Sequence, residues 1–122
     1  FFGCRIIASE TVIKNAMYPK NFQYRLLGLI RVIGKSETIK VYDFYDADPK
    51  KEQQLKKKFA TDFENALEAY LTESFDEAIK LFSKISKANP KDTAASIYLE
   101  RAKEYKLNKP EGWSGIFEME AK

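Results

Sequence analysis

The chain has 122 residues, enough for one domain or for a small domain joined to a piece of another. Charged residues make up 32% and aromatics 14%, a globular balance with a generous aromatic supply for a core, which excludes extended disorder away from the ends. The formal net charge is only +3 with acidic and basic residues interleaved, which argues against a nucleic-acid-binding surface.

Histidine is absent and Cys4 is the single cysteine, so an internal disulfide is excluded. Beside Ile6 and Ile7, Cys4 reads as a small buried hydrophobe rather than a nucleophile, and a reducing, cytoplasmic setting fits. No apolar run approaches the roughly 18 residues needed to span a bilayer, and no signal-peptide pattern is present. No direct membrane contact is therefore expected, although a parent protein could carry an anchor upstream. The opening Phe1-Phe2-Gly3 lacks an initiator Met and reads as a start inside a longer protein.

Residues 1–48 read as β-rich. Cys4 to Ala8 predicts a short buried strand, and Ser9-Glu10-Thr11 offers an N-cap for a short helix through about Ala16. Tyr18-Pro19-Lys20-Asn21 predicts a turn. Phe22–Ile33 and Thr38–Tyr45 flank Gly34-Lys35-Ser36-Glu37 and predict an antiparallel hairpin. The second strand alternates, with Ile39, Val41 and Asp43 on one face and Lys40, Tyr42 and Phe44 on the other. Three strands and one short helix are too little to bury both faces of a sheet, so this half reads as incomplete.

The boundary falls at Asp46-Ala47-Asp48-Pro49, and residues 49–122 carry a helical period. Leu55, Phe59, Phe63, Ala66, Leu67, Tyr70 and Leu71 form one apolar stripe. Ser74 and Glu77 match a capping box at the start of a second helix, with Phe75, Ala78, Ile79, Phe82 and Ile85 as its stripe. Asn89-Pro90-Lys91-Asp92 ends that helix and starts a third, which carries Ala94, Ile97, Tyr98, Ala102 and Tyr105. Asn108 to Gly112 ends the third helix, and Trp113–Lys122 gives no clear pattern. The expected fold is thus α+β: a hairpin with one more strand and a short helix, then a three-helix module.

From Phe59 to Pro90 the helical half resembles a tetratricopeptide repeat, with Ala66, Tyr70, Phe75, Ala78 and Phe82 near the small and aromatic positions of that repeat. A plain three-helix bundle describes the same pattern. One and a half repeats are too few for the concave groove of longer arrays.

Three segments in order carry a second resemblance. Gly3-Cys4-Arg5-Ile6-Ile7-Ala8-Ser9-Glu10-Thr11 resembles the Gly-x-x-Ile-Leu-(Ile/Val)-Ser-Glu-x-Thr segment late in class III nucleotidyl cyclases, the adenylate/guanylate cyclase family. Arg25 to Phe44 resembles that family's closing hairpin, Arg-x-(Leu/Ile)-Asp-x-Val-x-Val-Lys-Gly-Lys-x-Glu-Pro-Val-x-Val-Tyr-Glu-Leu. Gly28 stands where the aspartate is usual, Ile33 replaces the first lysine and Thr38 the proline. The helices and the Pro110…Trp113-Ser114-Gly115 tail are similar to those that follow bacterial cyclase domains.

The resemblance implies a parent enzyme that cyclises ATP or GTP, with Mg or Mn held by paired aspartates upstream of Phe1. It implies no catalytic, cofactor-binding or metal-binding residue within this chain, whose partner would be the remainder of the cyclase domain. The family's phosphate-reaching lysine aligns with Ile33, which has no donor. Arg31 or Lys35 substitutes, or the parent manages without the contact. Glu64 and Glu68 lie one helical turn apart, but with no third ligand they read as a solvated face. Lys56-Lys57-Lys58 likewise reads as a solvated charge run. Open strand edges and the apolar groups of Ile6, Ile7, Ile39 and Val41 predict self-association. The alternative is a free-standing interaction module of tetratricopeptide type, whose helices bind a protein partner.

Overall fold

The computed structural model describes residues 7–9, 23–32, 38–45 and 48–119. The expected helix after Ser9, the turn at Tyr18–Asn21 and the hairpin turn at 34–37 lie outside the described residues, as do Cys4, Ile33 and Lys35. The described chain is α+β, as the two periodicities predict. Strands β1 (Ile7–Ser9), β2 (Tyr24–Val32) and β3 (Thr38–Phe44) are joined by β4 (Phe117–Met119) in a four-stranded sheet of order β1-β3-β2-β4. β3 pairs antiparallel with both β1 and β2, and β4 adds to β2 in parallel. The mixed pattern of residues 113–122 had given no sign of this fourth strand.

β3 alternates as its sequence demands. Val41 and Asp43 are buried, whereas Tyr42 and Phe44 are half-buried on the opposite face. There Tyr24 packs edge-on to Tyr42 at 5.8 Å and against Phe44 at 5.4 Å. β2 carries a β-bulge: Leu26 faces Tyr42 and Gly28 faces Val41, which leaves Leu27 without a partner in β3. Leu27 is fully buried, and its carbonyl accepts a hydrogen bond of 2.5 Å from the Tyr98 hydroxyl. Burial pushes the Tyr98 phenol well above its ordinary value, which keeps the donor protonated.

Four helices follow where three were expected: α1 (Lys50–Lys58), α2 (Ala60–Leu71), α3 (Phe75–Ala88) and α4 (Thr93–Asn108). The first expected helix is divided at Phe59, whose φ of −100° and ψ of 15° leave the helical range. Two caps also differ from expectation. Ser74 stands at the N-cap of α3 but makes no side-chain capping bond. Asp92, rather than Asn89 or Pro90, opens α4, accepting from the Ala95 amide at 3.3 Å. Asn89 instead closes α3, its amide donating to the Ile85 carbonyl.

Aromatic rings fill the space between α2, α3 and α4. Phe82 stacks on Tyr98 at 5.2 Å, Phe63 meets Phe82 edge-on at 5.6 Å, and Tyr70 meets Tyr98 at 4.9 Å. Small residues Ala66, Ala78, Ala94 and Ala102, all fully buried, let the helices approach closely enough for these rings to interlock. Leu27 and Val41 belong to the same buried cluster, and Ile39 packs against it. Val41, one of the apolar groups expected to drive self-association, is thus buried in this core, while Ile39 is only partly buried against it. Helices and sheet share one core.

The Tyr98 hydroxyl offers a clean probe of how the helices hold the bulge. Tyr98→Phe keeps the ring packing but strands the buried Leu27 carbonyl, and should cost about 1–3 kcal/mol in urea unfolding. A loss below a few tenths would show that the contact contributes nothing to stability.

Candidate functional site

Five charged side chains converge where sheet and helices meet, all 8% exposed or less. Arg25 is carried by β2 and Asp43 by β3, directly opposite each other in register. The Arg25 Nε donates to Asp43 Oδ2 at 3.0 Å. Its two terminal nitrogens donate to both oxygens of Asp92, at 2.8 and 2.7 Å, the fork geometry that makes arginine–carboxylate pairs strong. The guanidinium also lies 4.3 Å from the centre of the Phe63 ring. From α1, Lys56 Nζ donates to Asp43 Oδ2 at 2.8 Å and to Asp48 Oδ2 at 2.6 Å. A second, uncharged chain runs beside it: Gln23 Nε2 donates to Gln53 Oε1, and Gln53 Nε2 to the Asp48 carbonyl.

Three carboxylates face two cations, so the cluster carries an excess negative charge. The helix start at Asp92 offsets part of it, since the first-turn amides of α4 present positive partial charge to this carboxylate. Among the described residues, Asp43 Oδ1 is buried without a hydrogen-bond partner. Both cations share the other oxygen of that residue. Burial disfavours the charged form of Lys56, but its hydrogen bonds to Asp43 and Asp48 outweigh this and raise its pKa above the ordinary lysine value.

This donor set does not suit Mg or Mn. A divalent ion would have to displace both Arg25 and Lys56 from the carboxylates they neutralise, and would find few free oxygens. Among the described residues no group of three or more His, Cys, Asp or Glu is arranged to hold a metal. What the cluster can do is mechanical: it fixes α1 and the start of α4 to the β2–β3 hairpin.

Lys56 was expected on a solvated face with Lys57 and Lys58; it is instead buried, while its two neighbours are exposed. Its burial follows from where α1 docks, which brings the Lys56 ammonium group to Asp43 and Asp48. Glu64 and Glu68 are exposed on α2, at the rim of a cleft of about 580 Å³ between β2 and α2. Leu26, Ala60, Phe63, Leu67 and Leu71 give that cleft an apolar lining. Arg31 sits half-buried in β2 opposite Thr38. No helix among the described residues is long and apolar enough to cross a membrane.

The fold and the cluster together define an α+β unit whose helical part is ion-paired to a β-hairpin. Among curated proteins the chain is similar to the terminal-differentiation-specific adenylate cyclase of Dictyostelium discoideum, with 29% identity over 80 residues. The match covers 66% of this chain and 4% of that protein, so the chain spans only a small part of its relative's length. The similarity supports a relationship to adenylate cyclases. No protein-family model and no solved structure matches the chain.

Removing one partner of the cluster leaves a buried charge uncompensated. Asp92→Ala should therefore destabilise the chain by about 3–5 kcal/mol. Asp62→Ala, which removes the partner of the largely exposed Lys84, should cost no more than about 1 kcal/mol. Equal losses for the two variants in denaturant titrations would contradict this account.

Lys56 of the cluster and two tyrosines of the aromatic core together set an alkaline limit. Lys56, Tyr70 and Tyr98 all have pKa values raised in the folded chain. Each raised group contributes stability that is complete below its unfolded pKa, about 10 for tyrosine and 10.4 for lysine, and is lost as pH climbs through the folded value. Stability from these groups should hold near neutrality and fall from about pH 10 upward. Lys56→Met should flatten that fall in pH-dependent melting; an unchanged alkaline limb would exclude Lys56 as a contributor.

Proposed function

We propose that the chain is the carboxy-terminal part of a class III adenylate/guanylate cyclase. In this reading residues 1–48 close the cyclase domain, and residues 49–122 form a tetratricopeptide-like helical module that supports or regulates it. The chain itself carries no catalytic group. The parent would convert ATP or GTP to a cyclic nucleotide for intracellular signalling, using Mg or Mn held by residues outside this chain.

The observation that carries the reading is the similarity to an adenylate cyclase over 80 residues, and the ordered segments from Gly3 to Trp113 that resemble the family's late motifs support it. The buried cluster supports the role given to the helices. Arg25 and Asp43 belong to the hairpin that resembles the cyclase's closing hairpin, and Lys56 and Asp92 reach them from the helices. A module tied in this way transmits strain to the hairpin when its own packing changes.

A second reading, a free-standing interaction module, draws on the apolar cleft between β2 and α2. The two separate in one set of assays. The isolated chain should make no cyclic nucleotide from ATP or GTP with Mg or Mn. In the parent, Asp92→Ala should lower cyclase activity roughly three- to thirtyfold, while Asp62→Ala leaves it unchanged. Cyclic-nucleotide synthesis by the isolated chain, or a parent indifferent to Asp92→Ala, would sink the proposal; the latter result together with a bound peptide in the cleft would favour the interaction module.

A further inference from the structure

The last segment of the chain is held differently from everything before it. α4 is buried as far as Ala102, but its final turn is open, with Leu107 88% exposed. A turn follows in which the Trp113 amide donates to the Pro110 carbonyl at 3.2 Å. Gly112 sits in that turn at φ +73°, with open space where a side chain would begin. Trp113 anchors the tail to the helices: its ring lies 5.1 Å from Tyr70, 5.3 Å from Phe75 and 5.5 Å from Tyr105. Gly115, at φ +80°, passes so close to α2 that a Cβ there would lie 2.6 Å from Leu71 Cδ2. Only then does β4 reach the sheet, pairing with Ile30, Arg31 and Val32 out of the nine residues of β2.

We propose that residues 109–119 form a releasable strap, hinged at Gly112 and latched by Trp113, which opens as a unit and uncovers the outer edge of β2 at Ile30–Val32 while the rest stays folded. A parallel ladder of three residues contributes little holding power, and the ring contacts of Trp113 supply the tail's attachment to α2, α3 and α4. Segments with few buried apolar contacts open first, at a free energy below that of global unfolding. The rest of the molecule is built in the opposite way. β2 and β3 pair along their length, α2 to α4 interlock through rings, and the five-charge cluster lies outside the tail. Release presents the unpaired backbone groups of an edge strand. That this edge carries Arg31, a candidate phosphate contact, gives the strap a regulatory meaning that rests on the cyclase reading; the strap itself does not.

Hydrogen exchange on the 122-residue chain tests the strap without any nucleotide chemistry. In the unaltered chain, the amides of residues 30–32 and 117–119 that face the β2–β4 seam should exchange together, faster than those of α2 and α3, and with a weaker denaturant dependence, while the amides of residues 30–32 that face β3 stay protected. Trp113→Ala should accelerate the seam amides of both segments on the order of tenfold and leave α2 and α3 unchanged, and Trp113→Phe should restore most of the protection. Exchange of the seam amides only through global unfolding would overturn the proposal, as would a Trp113→Ala chain in which every segment loses protection equally or fails to fold.

Discussion

Arg25 and Asp92 lie 67 residues apart in the chain, and their two-point contact fixes the start of α4 against β2. The aromatic core is the larger source of stability, since each buried Phe or Leu contributes roughly 1.5–3 kcal/mol. Apolar burial has no direction, however, and rings can interlock in more than one register. The charged cluster admits one. If α4 shifts by a turn, Asp92 leaves Arg25; if α1 shifts, Lys56 leaves Asp43 and Asp48. Each error strands a desolvated charge, so the cluster works by making alternative packings costly rather than by adding net stability.

The Tyr98 contact reinforces this from another side. Because Leu27 is the extra residue of a bulge, its carbonyl cannot complete the ladder with β3 in the ordinary way, and the phenol supplies the partner. α4 therefore touches β2 at two backbone-defining points, Arg25 through its first residues and Leu27 through Tyr98. β4 returns to the far edge of the same strand, while β3 takes the other helix-to-sheet connection, from Lys56 of α1 to Asp43. The helical half is joined to the hairpin at its root rather than appended to it by a linker.

Much of this architecture is legible in the sequence. The two periodicities, the hairpin and the aromatic stripes follow from residue type and spacing, and the alternation of β3 placed Asp43 on the inner face. A carboxylate on an apolar face demands a cation, and that demand was readable. Which cation would answer it was not, because Arg25 and Lys56 reach Asp43 from separate elements whose docking is a tertiary outcome. The division at Phe59 escaped notice because the apolar stripe continues across it. Asp92 was read as favouring a helix start, which it does, but its second task needs the position of Arg25. β4 escaped because three residues carry no period of their own.

The cluster also gives the polar residues at the two ends of this hairpin a structural role. In the pattern that Arg25 to Phe44 resembles, the first residue is an arginine and the next-to-last position is acidic, occupied here by Asp43. In this chain those two positions lie directly opposite each other and pair at 3.0 Å, so the two ends of the pattern close on one another across the hairpin. Within a hairpin alone, that pair would keep spare hydrogen-bonding capacity: two guanidinium nitrogens and a carboxylate able to accept more than one donor. Here the helices take up that capacity, Asp92 from the arginine and Lys56 from the aspartate. A helical module that completes the hydrogen bonding of an inward-facing ion pair needs no dedicated interface of its own. It can be held in register by groups the hairpin already presents, and any change in its packing is felt first at that pair.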